Sequence, residues 1–143
     1  MEIKQIIFDE NSFGITQRSL KVLRNTLSRS IDQHIAVVEI PTNDLCCGYL
    51  ILNRDTGVAT FTGDGFRIDG GGEGGAGYRS AQALMTLLGL KVFPADPVDL
   101  GEIYIGGRES VRRKLHKVAK ELQGLIGDHE YIRISDRMPG YVR

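Results

Sequence analysis

Ile35-Ala36-Val37-Val38-Glu39-Ile40, closed by Pro41, is followed by Cys47-Gly48-Tyr49-Leu50-Ile51-Leu52 and then by Val58-Ala59-Thr60-Phe61-Thr62. Each run is short and rich in β-branched, aromatic or other apolar side chains, the composition of strands on a pleated, half-buried surface. Asn53-Arg54-Asp55-Thr56-Gly57 joins the second run to the third as a polar turn with glycine at its end, so these are expected to be antiparallel hairpin strands. Gly63-Asp64-Gly65 turns the chain again, and Phe66-Arg67-Ile68-Asp69 extends the meander by one short strand.

Helical spacing flanks this block. Leu20, Leu23, Leu27 and Ile31 recur at three and four residues, with Arg18, Lys21, Arg24 and Arg29 off the stripe, which predicts a helix from about Gln17 to Ser30 capped by Thr16. Ala81, Leu84, Met85, Leu87 and Leu88 predict a second, from about Tyr78 to Leu88, ended by Gly89. Val111, Leu115, Val118, Ala119 and Leu122 form the stripe of a third, with Ser110 near its start and Gly124 at its end. Ile3, Ile6, Ile7 and Phe8 make an opening strand, and Leu90–Phe93, Glu102–Ile105 and Tyr131–Ile134 are further strand candidates. The expected fold is a single α+β domain over residues 1–143, a mainly antiparallel sheet with about three helices packed on one face.

The composition bounds the function. Hydrophobic residues at 41% and charged residues at 25% are those of a globular chain. Eighteen basic residues balance eighteen acidic ones, so a nucleic-acid or membrane partner has to be sought in a local patch. No apolar run approaches the ~20 residues that span a bilayer, and Met1-Glu2-Ile3-Lys4-Gln5 leads into no long apolar stretch, so the expectations are no membrane and a cytoplasmic location. Cys46 and Cys47 are neighbours that close no useful loop, which argues against a disulfide scaffold and for small buried strand residues.

Eight glycines lie between Gly63 and Gly77, just before the second helix. Residues without Cβ can turn backbone N–H groups toward an anion, and a helix start adds unpaired donors and a positive dipole end. Gly74, Gly75 and Gly77 are therefore candidates for close backbone approach to a phosphate or other anionic small molecule, with Arg79 supplying charge and Ser80 a hydroxyl. Asp69 and Glu73 place negative charge where such an anion would sit, and the run reads equally as a flexible or purely structural loop. The run matches G-x-G-x-x-G in two registers, and Asp96 could fill the acidic place of a dinucleotide fingerprint. The polar hairpin before it is not the buried parallel strand that the fingerprint needs, and no Gly-Lys-Ser/Thr closes a Walker loop. Asp64, Asp69 and Glu73 could instead serve as acid, base or cation ligands, although no calcium-loop spacing is present and no metal is assigned.

The third helix carries Arg108, Arg112, Arg113, Lys114, Lys117 and Lys120 against Glu109 and Glu121. Arg113, Lys117 and Lys120 follow three- and four-residue spacing and project from one side, where they could meet phosphates on a nucleic acid or acidic groups on a partner, although a solvated basic face is the commoner reading of such a helix. Stacking aromatics are sparse: Tyr104 and Tyr131 fall in expected strands and Tyr141 in the tail. His34, His116 and His129 are scattered and form no zinc pattern.

The order of three strands, helix, strand, helix, strand after residue 34 resembles that of the ribonuclease H-like fold. Those nucleases need carboxylates on the first strand, in the first helix and near the fourth strand. Glu39 could take the first place, but Tyr78–Leu88 has no acidic residue, which removes the catalytic case. The leading expectation is a small ligand-binding or accessory domain whose glycine-rich loop receives an anionic group. The alternatives are a non-catalytic protein-interaction or homo-oligomerisation module, using a sheet edge or the basic helix, and a carboxylate- or metal-dependent enzyme. No cofactor is specified.

Overall fold

The apolar residues of the 35–40 run fall on both parities of the strand, so one covered face cannot bury them all. A computed structural model, which describes residues 2–101 and 103–138, resolves this by covering both faces. The chain order is β1 (Gln5–Phe8), α1 (Thr16–Arg29), β2 (Ile35–Pro41), β3 (Cys46–Asn53), β4 (Val58–Phe61), β5 (Phe66–Arg67), α2 (Gly72–Leu87), β6 (Val92–Pro94) and α3 (Ile103–Leu125). The sheet runs β1-β4-β3-β2-β6, with β5 paired to one end of β3. β2, β3 and β4 form the expected antiparallel meander. β1 is parallel to β4 and β6 is parallel to β2, because each arrives after a helical crossover or leads into one. The sheet is therefore mixed, which corrects the expectation of a mainly antiparallel one.

Ile35, Val37, Cys47, Tyr49 and Ile51 share one apolar cluster with Leu20, Leu23 and Leu27 of α1 and with Ala81 and Met85 of α2. Ala36, Val38, Ile40, Leu50 and Leu52 share the other with Val111, Leu115, Ala119 and Leu122 of α3. The alternation of strand side chains sends these sets to opposite faces, so the helices do not all pack on one face as expected. Each large apolar side chain so buried contributes about 1.5–3 kcal/mol.

Several element boundaries also differ from expectation. Thr16 does not cap α1: Ile15 holds the N-cap position without a side-chain bond, and the Thr16 hydroxyl donates to Gly65 O at 2.6 Å. The 103–105 part of the expected Glu102–Ile105 strand belongs to α3, whose helical path breaks at Gly107, where φ is 72°. Tyr104 is therefore in a helix, and Glu102 lies outside the described residues, as do Pro139-Gly140 and Tyr141. The last expected strand is reduced to one bridge, Ile132 to Ile35, before a 3-10 turn at Ile134–Arg137.

The largest shift is at α2, which begins at Gly72 and not near Tyr78. Four of its first six residues are glycine, a composition that costs roughly 0.5–1 kcal/mol each in a helix. Close approach supplies the reason. A Cβ at Gly75 would run into the Gly70 backbone, and one at Gly77 into the Thr16 methyl, where α1 passes over α2. The Thr16 bond to Gly65 keeps that methyl from turning aside.

Helix propensity alone makes Gly75→Ala stabilising by about 1 kcal/mol. The contact reverses the sign, and Gly75→Ala is expected to lose about 1–3 kcal/mol in urea denaturation. Gly124→Ala, whose new Cβ meets nothing within 4 Å beyond its own helix backbone and chain neighbours, is expected to gain up to about 1 kcal/mol. Equal gains at the two positions would contradict the packing account.

Candidate functional site

Placing the glycines inside α2 changes what their amides face. The Gly75 N–H donates to Gly71 O at 2.8 Å, and Gly77 lies beyond the first turn, where helix amides bond within the helix. Gly74 alone of the three falls among the first-turn amides. Gly74, Gly75 and Gly77 are all buried, whereas Arg79 and Ser80 are exposed, and the Arg79 guanidinium donates to Gly70 O at 3.1 Å. The chain also brings its own carboxylate to this helix start: Asp69 accepts from Gly71 N–H at 3.1 Å and from the Arg67 guanidinium at 2.6 and 3.0 Å. Arg67 first, and then the Gly71 N–H, hold the Asp69 carboxyl below the usual carboxylate range.

The other carboxylates singled out from the sequence are apart and engaged. Asp64 clamps two loops, accepting from Gly14 N–H at 2.8 Å and from the Thr42 hydroxyl at 3.0 Å, and Glu73 accepts from Gln17 at 3.3 Å. No group of three or more His, Cys, Asp or Glu side chains converges on a possible metal position among the described residues. His34 pairs with Asp55 at 3.0 Å, His116 lies on α3, and His129 sits in an exposed turn. Cys46 and Cys47 are both free, and burial, followed by the Glu39 charge, pushes the Cys47 thiol well up, away from a reactive thiolate.

The basic residues do converge. Lys4, Gln5 and Ile6 at β1 face Arg112, Arg113, His116, Lys117 and Lys120 of α3 across an open groove of about 480 Å³. Five of its lining residues are cations besides His116, and none is a carboxylate. Lys4, Arg113, Lys117 and Lys120 form no ion pair among the described residues, while Arg112 is 3.5 Å from Glu109. The apolar stripe of α3 fixes this geometry: Val111, Leu115, Ala119 and Leu122 go into the core, so residues 112, 113, 116, 117 and 120 rise along its flanks beside the sheet edge. Arg112 is held most firmly, donating to Ile6 O at 2.6 Å with its guanidinium over the Phe8 ring at 5.3 Å. Arg108 covers the same ring at 4.8 Å. A larger groove of about 600 Å³, between the 94–99 loop and α3, mixes Lys114 and Lys117 with Asp96, Asp99 and Glu121, so its charge selects no sign of partner.

The spacing of Arg113, Lys117 and Lys120 was readable in the sequence, but Lys4, Gln5 and Ile6 joined the site only through the fold. The available signal was Lys4 beside a short apolar strand, a pattern typical of sheet edges.

A second polar cluster was missed. Glu39 on β2 accepts through Oε1 from Tyr78 OH at 2.8 Å, Gln82 Nε2 at 3.0 Å and Tyr49 OH at 3.4 Å, and Gln82 also donates to Tyr49 OH at 2.7 Å. Burial is the main cause that raises both phenols, reinforced at Tyr78 by the bond to Glu39 and at Tyr49 by the neighbouring Cys47 and Glu39. They therefore remain neutral donors. Tyr78 and Gln82 thus reach from α2 to Glu39 on β2, and the cluster fastens α2 to the sheet.

Comparison with protein-family models, with curated proteins and with solved structures gives no match. No helix among the described residues is long and apolar enough to cross a membrane.

A half-buried hydrogen bond to a charged acceptor is worth about 1.5–3 kcal/mol. Tyr78→Phe is expected to lose that much stability in chemical denaturation, whereas the exposed neighbour Arg79→Ala should change it by less than about 1 kcal/mol. A neutral Tyr78→Phe would show that the cluster does not fasten the helix.

Proposed function

We propose that this protein is a non-catalytic interaction module that binds an acidic segment of a protein partner in the groove between β1 and α3. The observation that carries the reading is the gathering of Lys4, Arg112, Arg113, Lys117 and Lys120 around one groove without a carboxylate in its lining, on a chain whose charges otherwise balance. Like charges brought together destabilise a fold by mutual repulsion, and an acidic partner relieves that repulsion while steering its own approach.

The size of the site favours a short segment over a nucleic-acid duplex. The four residues of β1 extend for roughly 13 Å, and the seven-residue step from Arg113 to Lys120 rises about 10 Å. The lining also contains no Phe, Tyr or Trp ring on which a base could stack. Two copies of the protein meeting at this edge would oppose two sets of five cations, which disfavours self-association here.

The anionic guest first expected at Gly74, Gly75, Gly77, Arg79 and Ser80 is the less favoured site, because Asp69 already faces that helix start and the Gly75 amide already has a partner.

Fluorescein-labelled oligoglutamate, followed by anisotropy, is the direct probe. Binding should weaken at least about tenfold between roughly 0.05 and 0.3 M salt, and Lys117→Glu with Lys120→Glu should remove at least a further tenfold. Equal binding by that double variant overturns the reading. Tighter binding of single-stranded oligothymidylate than of oligoglutamate would replace the acidic protein partner with a nucleic acid.

A further inference from the structure

We infer that the acidic segment docks as an added β-strand on the outer edge of β1, an inference that rests on the groove reading above. β1 ends the strand order β1-β4-β3-β2-β6, so one of its edges has no strand partner among the described residues. The direction of its backbone groups follows from the ladder. Gln5 N–H turns to Gly57 O at 3.3 Å, an acceptor it shares with Lys4 just before the strand, and in the parallel register of Gln5 to Val58 and Ile7 to Thr60 the successive residues of β1 turn their backbone groups to opposite edges. Ile6 and Phe8 therefore present N–H and C=O outward, toward the groove.

Arg112 marks the same edge independently. Its guanidinium donates to Ile6 O at 2.6 Å, standing where the N–H of an incoming strand would stand. A cation in that position guards an open edge against neutral or basic strands, including those of other copies of this chain. An acidic strand is treated differently: one of its carboxylates can draw the Arg112 guanidinium away, and the freed Ile6 carbonyl then accepts the incoming backbone N–H. One hydrogen bond is exchanged for another, and the guest carboxylate joins or replaces Glu109 as the charged partner of Arg112. The guard thus sets the specificity of the edge.

The side-chain pattern of the guest follows from the two walls. Residues of the added strand on the α3 side meet Arg113, His116, Lys117 and Lys120, while alternate residues lie beside Gln5 and the exposed Ile7. A two-residue step along a strand is about 6.6 Å and one helical turn about 5.4 Å, so acids at every second position keep pace with cations spaced three and four apart. The preferred ligand is an extended segment in which Glu or Asp alternates with β-branched apolar residues.

The test uses the whole chain and three peptides of Glu-Val repeats: one unmodified, one N-methylated on the backbone nitrogens of one edge, and one methylated on those of the other edge. Strand addition predicts that the unmodified peptide slows hydrogen exchange at the Ile6 and Phe8 amides at least about tenfold. It also predicts that one methylated peptide loses at least about tenfold in affinity while the other binds normally. Binding of all three with equal affinity and no added protection at Ile6 and Phe8 overturns strand addition and leaves the charge-based reading standing. If no peptide binds even at low salt, both are overturned.

Discussion

Seven paired positions join β2 to β3, and that pair is apolar on both faces. Exposing either face to water would forfeit about 25 cal/mol for each Å² of apolar surface, so the rest of the chain is arranged to cover both. α1 and α2 take one side. β6 then returns parallel to β2, and the chain crosses to the other side as α3. This second crossing brings a helix with one apolar stripe and basic flanks against the edge made by β1, so the groove is a by-product of covering the central strands.

How much of this was legible depended on whether the signal was local. The meander over β2, β3 and β4 follows from β-branched runs and a polar turn ending in Gly57, and the α1 and α3 stripes follow from periodicity. The mixed pairing was not legible, because the partner of β1 lies about fifty residues away, at Val58–Phe61, and nothing in Gln5–Phe8 names it. Two-sided burial had a local sign, the loss of alternation across Ile35–Ile40, but the hairpin turns pointed toward a one-faced antiparallel sheet. The start of α2 was hidden for a different reason. Glycine is a poor helix former, and only the approach of Gly70 and Thr16 explains why Gly75 and Gly77 stand in a helix.

The same contrast separates the two binding readings. Glycine-rich stretches suggest anion sites because their amides can be bared, but amides are bared only where the backbone is not already committed. At Gly75 the amide is committed to Gly71, and the neighbouring Asp69 occupies the helix start. At β1 the reverse holds, since Ile6 and Phe8 turn toward an open edge and, of the cations around it, Lys4, Arg113, Lys117 and Lys120 form no ion pair among the described residues. Lys4 and Arg112 come from sequence positions over a hundred residues apart, which is why one half of the site was visible beforehand as a basic helix face and the other only as an apolar strand.

Backbone amide shifts of the isotopically labelled protein, recorded as oligoglutamate is added, give the most direct measurement. The account predicts saturable changes concentrated at residues 4–8 and 112–120, with residues 70–80 unmoved. Changes centred on residues 70–80, or spread evenly over the surface, would contradict it.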